Sequence, residues 1–88
     1  MKLFSKKFSS CPYLDQELSG KLSQVGIVDL RTLRMYGSRN VFFKLKSRFP
    51  DINPDVILIL EGAIRGINPK SLDRELQKEL NDFIRMFS

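Results

Sequence analysis

Apolar residues cluster most densely in Asp51–Ile67, DINPDVILILEGAIRGI, and the rest of the chain is arranged around that stretch. Val56 to Leu60 run without a polar break. Periodicity alone leaves a buried strand open. Asn53 is a good helix cap, and Pro54 follows at the first helical position, where its missing N–H costs nothing. With the continuation through Glu61, Gly62, Ala63 and Ile64, this predicts a helix ending near Gly66. A helix apolar on nearly every side belongs in the middle of a fold. Gly62 and Ala63 would let a neighbouring backbone come close.

The flanking segments carry one-sided patterns. Leu14, Leu18, Leu22 and Val25 make one face of a helix over about Leu14–Val25, weakened by Gly20 and stopped by Gly26. Ile27 turns inward. Asp29 caps a second helix whose buried face is Leu30, Leu33 and Tyr36, and Gly37 closes it. Ser38 caps a third, about Arg39–Arg48, with Val41, Phe42 and Leu45 inside and Phe43 covering a neighbouring helix. Phe49-Pro50-Asp51 breaks the chain before the central helix. Asn68-Pro69 repeats the cap-then-proline step and starts a short turn. A last helix spans about Asp73–Met86, with Leu72, Leu76, Leu80, Phe83, Ile84 and Phe87 as its stripe. Met35 and Met86 are expected to fill gaps. The expectation is an all-α, compact bundle of about five short helices over residues 13–88, behind a tail at 1–12. In that tail Phe4 and Phe8 could share one face of a short docked helix.

Composition narrows the chemistry. There is no histidine and a single cysteine, Cys11, so the usual ligands of a structural zinc site are too few. Ser–His and Cys–His nucleophilic pairs are absent for the same reason. We expect no enzyme, cofactor or metal. The N-terminus lacks the apolar core of a signal peptide, and no stretch reaches the roughly 18 apolar residues that span a bilayer. The expected setting is cytoplasmic, without a membrane.

The net charge of +5 is unevenly placed: residues 1–48 hold ten Lys/Arg against three acids, and residues 49–88 hold five against seven. A basic half suggests an anionic partner, nucleic acid or an acidic protein surface. The alternative is a solvated face on a small basic protein.

Val25-Gly26-Ile27, a glycine-centred turn between two helices, has the outline of a helix-hairpin-helix unit. With Leu33, Gly37, Phe42 and Leu45, and then Leu58-Ile59-Leu60-Glu61-Gly62-Ala63-Ile64-Arg65-Gly66-Ile67, the chain resembles the C-terminal domain of the bacterial TfoX/Sxy competence regulators. The LEGA segment is that family's most distinctive feature, and the resemblance covers about Leu14–Leu80. The chain departs from it at Cys11–Asp15, CPYLD, where the family often has Leu-x-Asn-Leu-Gly, and at Pro69, where it often has Trp. A full regulator also has an α/β domain before this module, so the expectation is a stand-alone module or a piece of a longer regulator. The resemblance implies a helix-hairpin-helix or SAM-like domain. It also implies a non-catalytic role in regulating competence and DNA transformation through a protein partner, a transcription regulator of the CRP type.

The alternative function is a small basic DNA-binding protein. A helix-hairpin-helix holds a phosphate with backbone N–H groups at the turn, here those of Gly26 and Ile27. Lys21, Arg31, Arg34 and Arg39 would flank them. Diffuse, salt-sensitive contact would come from Lys44, Lys46 and Arg48. Val28 stands where a gripping hairpin has a second glycine, and the Asp29 carboxylate would compete for the helix N-terminus. Glu61 is expected to be exposed or paired with Arg65, four residues on.

Overall fold

A computed structural model describes residues 13–86. The expectations for the tail at 1–12, with Phe4, Phe8 and Cys11, and for Phe87 lie outside those residues. The described chain is all-helical: α1 (Gln16–Gln24), α2 (Leu30–Arg48), α3 (Val56–Arg65), a 3-10 turn at Pro69–Ser71 and α4 (Arg74–Arg85). No helix among the described residues is long and apolar enough to cross a membrane.

Side-chain caps set the starts of α1 and α2, while α3 and α4 begin without one. Asp15 Oδ1 accepts from Leu18 N at 2.8 Å, so α1 begins at Gln16 and Leu14 is buried from outside it. Asp29 Oδ1 accepts from both Thr32 N and Thr32 Oγ1, at 2.8 and 2.7 Å, which caps α2 as expected. Asn53 Oδ1 accepts from Asp55 N at 2.9 Å. That bond makes a turn of Asn53–Asp55, and regular helix starts only at Val56. Asn68 Oδ1 accepts from Lys70 N at 2.8 Å and opens the 3-10 turn on Pro69, as expected.

The second and third expected helices form one kinked element, α2. Gly37 leaves the helical region there, at φ 84°, ψ 157°, which L side chains rarely adopt. The break is where the glycine promises it, but the chain re-enters helix at once, with no loop between the limbs. Asn40 Nδ2 reaches back across the kink to the Tyr36 carbonyl at 2.8 Å.

One core joins all four helices: Leu14, Leu18, Leu22, Ile27, Leu33, Val41, Phe42, Leu45, Ile52, Ile57, Leu60, Ala63 and Leu80. Helix α3 is its centre. Ile57 and Leu60 are fully buried, and Val56, Leu58, Ile59 and Ile64 pack against the cluster while half-covered. Each fully buried Ile or Leu contributes about 1.5–3 kcal/mol. The widest packing interface of α3 is with α2.

Several expected core positions are outside. Tyr36, expected on a buried face, is 44% exposed, and Phe43, expected to cover a neighbouring helix, is 53% exposed. Met35 and Met86 fill no gap, each being 78% exposed. Ser38 forms no helix cap; it is buried and bonded elsewhere.

Candidate functional site

The hairpin turn is closed by hydrogen bonds that use its own amides. Ile27 N donates to Leu22 O at 2.8 Å, and Gly26 N donates to Ser23 O at 3.1 Å. This is the Schellman closure of α1, which Gly26 permits by taking φ 86°. The two N–H groups expected to hold a phosphate are thus taken up by α1 carbonyls. Ile27 is also fully buried. The N-terminus of α2, the other half of a phosphate grip, is filled by the Asp29 carboxylate. The hairpin as folded therefore presents neither of its expected anion donors.

The cations expected to flank it are mostly engaged with the protein itself. Lys21 pairs with Glu17 at 3.3 Å and lies over the Phe49 ring, 5.4 Å from its centroid. Arg48 reaches the same ring at 5.9 Å and donates to Gln24 Oε1 at 3.2 Å. Phe49 thus brings Lys21 and Arg48 together. Arg34 Nε donates to Ile64 O at 3.2 Å. That carbonyl lies in the last turn of α3, where helix carbonyls need outside donors and a positive charge is favoured. Arg39 pairs with Glu79 of α4 at 3.5 Å, and Lys46 donates to Pro50 O at 2.7 Å. Lys44 sits over the Tyr36 ring at 5.1 Å. Arg31 is exposed on the first turn of α2.

The LEGA segment, Leu60–Ala63, is buried throughout. Leu60 and Ala63 join the core. Glu61 faces α2, where its Oε1 accepts from the Ser38 hydroxyl at 2.5 Å, just past the Gly37 kink. Its Oε2 accepts from Arg65 Nε. Burial pushes the Glu61 carboxyl upward. The hydrogen bonds from Ser38 and Arg65, with the charges of Arg65 and Arg39, outweigh burial and hold the group below its ordinary value. Gly62 is where the chain folds back on itself. A Cβ there would lie 2.8 Å from Ile67 O and 3.1 Å from Pro69 N. Gly66 allows that return by taking φ 72°, while Ile67 N donates to Gly62 O at 2.9 Å. The pairing of Glu61 with Arg65 follows from their spacing. Its bond to Ser38 has no local signal, because the partners are 23 residues apart.

Surface clefts among the described residues include two of note. One lies between α1 and the start of α3, and its charged groups are occupied: Asp15 caps α1, and Glu17 pairs with Lys21. The other is a shallow open groove lined by Val25 from the hairpin and by Tyr36, Asn40, Phe43, Lys44 and Ser47 of α2. The apolar pattern of the sequence assigns Tyr36 and Phe43 to packing. The Gly37 kink lies between the two rings, so their spacing of seven is no helical-face signal, and the sequence carries none for their exposure.

The family model described as the TfoX C-terminal domain matches residues 5–84. The chain is similar to Protein Sxy of Escherichia coli (strain K12), 28% identical over 78 residues. That alignment covers 89% of this chain and 37% of the relative, so the chain spans little more than a third of the length of the curated relative it matches. No solved structure matches.

Proposed function

The chain belongs to the TfoX C-terminal domain family, and from that membership we propose that it is a non-catalytic regulatory module of bacterial competence and DNA transformation. It acts by protein–protein contact, in the cytoplasm, on a transcription regulator of the CRP type. We read the fold as helix-hairpin-helix in kind, with the two limbs of α2 counted separately to make five helical segments.

The observation that carries the protein-contact reading is the state of the hairpin. Its two amides serve Leu22 and Ser23, and its second helix is capped by Asp29. A helix N-terminus holds phosphate through N–H groups that are open to it. The hairpin therefore favours a structural role, and recognition falls to side chains on the outer surface. The buried Glu61 fits the same reading, since both its oxygens are engaged within the fold.

Two measurements on the same preparation test the proposal. The chain is mixed with a purified CRP-type regulator and followed by sedimentation, and labelled duplex DNA is titrated at low and high salt. We expect a complex with the regulator and no saturable DNA binding at low salt. Tight low-salt DNA binding that disappears in Lys21→Glu and Arg31→Glu, without a regulator complex, would replace this reading with the DNA-binding one.

A further inference from the structure

We propose that the groove along α2 docks an acidic, amphipathic segment of a partner protein, with apolar side chains against Tyr36 and Phe43 and a carboxylate facing Lys44. The inference rests on the protein-contact reading and gives it a surface and a chemistry.

Charge is the first ground. Among the residues lining the groove Lys44 is the charged one and none is acidic, and helix α2 has no Asp or Glu in its 19 residues. A surface of one sign steers and selects partners of the other. The second ground is the apolar part of the same face. Tyr36 and Phe43 are large side chains with about half their surface in water, in a groove that Val25 also lines. Aromatic residues are enriched at protein interfaces, and charged groups belong to the rim. The third is preorganisation. Lys44 rests on the Tyr36 ring and Asn40 is bonded to the Tyr36 carbonyl, so the groove wall is held before a partner arrives. Past the Gly37 kink, the limb from residue 38 to 47 runs nearly three turns, ~14 Å, which suits a short helix laid along it.

The same details disfavour a nucleic-acid duplex. Phosphate binding needs cations aligned along the backbone. Here Arg34, Arg39 and Lys46 are bonded to Ile64 O, Glu79 and Pro50 O, and aromatic rings occupy the space beside Lys44.

The test is selection of random displayed peptides of about three helical turns against the full chain, followed by amide-shift mapping with the winning peptide. We expect enrichment of Asp and Glu together with apolar residues three or four apart. Shifts should gather on Val25, Tyr36, Asn40, Phe43, Lys44 and Ser47. Phe43→Ser and Lys44→Glu should each weaken binding at least about tenfold, and Lys44→Arg should keep it. Selected peptides that are basic or uncharged, or that bind the variants equally well, would overturn the proposal. So would duplex DNA saturating the same amides, or self-association lost in Phe43→Ser, which would make a second copy the occupant. If the CRP-type regulator binds the wild type and both variants alike, the groove is wrong and the proposed function stands. If acidic peptides bind through Phe43 and Lys44 but the regulator does not, the groove stands and the named partner falls.

Discussion

Helices α2 and α3 share the widest interface in the fold, yet their side chains serve opposite ends. In α3 the residues that mark the family face inward: Leu60 and Ala63 in the core, Glu61 bonded to Ser38 and Arg65, and Gly62 against the returning backbone. In α2 Leu33, Val41, Phe42 and Leu45 join that core, while Tyr36 and Phe43 are exposed and Arg34 and Arg39 reach across to α3 and α4. Recognisable motifs and available chemistry are thus on different helices. LEGA is a packing motif, and the surface able to meet a partner is on the helix with the less distinctive sequence.

The contrast breaks most severely at Gly62. Ile67 and Pro69 approach by backbone, which cannot rotate away as a flexible side chain can. Gly62→Ala is expected to cost about 1–3 kcal/mol through overpacking, lowering the melting temperature by roughly 4–8 °C per kcal/mol in a domain this size. Gly62→Val should cost more. Gly20 is the control: a Cβ there meets nothing within 4 Å, so Gly20→Ala should stabilise by up to about 1 kcal/mol. Equal melting temperatures for the two alanine variants would mean that the return over α3 is not tightly packed.

Gly37 comes next. Its φ of 84° with ψ of 157° is essentially a glycine conformation. Gly37→Ala should cost about 1–3 kcal/mol through backbone strain, although no neighbour crowds the site. Urea unfolding of Gly37→Ala and Gly62→Ala separates the causes. At Gly62 the loss should grow from Ala to Ser as the side chain lengthens against the Ile67 and Pro69 backbone, whereas at Gly37, where a Cβ meets nothing within 4 Å, Ala and Ser should cost alike.

How far this architecture is legible in the sequence depends on the range of each signal. Caps and stops act over a few residues, so Asp29, Asn68, Gly26 and Gly66 can be read directly. The apolar run of α3 announces its burial through composition. Features that depend on a distant partner are out of reach. Ser38 looks like a cap because serine after glycine commonly caps, yet its hydroxyl serves Glu61. Tyr36 and Phe43 look like core because aromatic residues usually are. Their exposure follows from which side of a kinked helix meets α3, and no local rule gives that. The hairpin glycine is legible as a stop, whereas the engagement of the turn's amides shows only in the closure onto Leu22 and Ser23.

The Glu61 bridge gives a smaller effect with a definite pH dependence. The carboxyl is held below its ordinary value in the folded chain, so the bridge contributes fully above the unfolded pKa, about 4.3, and its contribution fades as pH falls through the lower folded value. Glu61→Gln keeps the shape and loses the charge, with an expected cost of about 1 kcal/mol at pH 7, the gap between charged and neutral hydrogen bonds. Melting curves of wild type and variant should lie apart at pH 7 and converge at acid pH. A constant separation over that range would show that ionisation of Glu61 adds nothing to stability.

The smallest expected effect is on the outer face of α2, and its smallness is the point. Phe43 is more than half exposed and Lys44 is partly exposed over the Tyr36 ring. Lys44→Glu should change unfolding free energy by up to about 0.5–1 kcal/mol, mostly through the lost cation–ring contact, and Phe43→Ser by about 1 kcal/mol, for the half of the ring that folding covers. Both variants should therefore melt close to the wild type, whereas Gly62→Val does not. If Phe43→Ser instead unfolds the chain, the ring is a structural member, and α2 would be an inward-serving helix like α3.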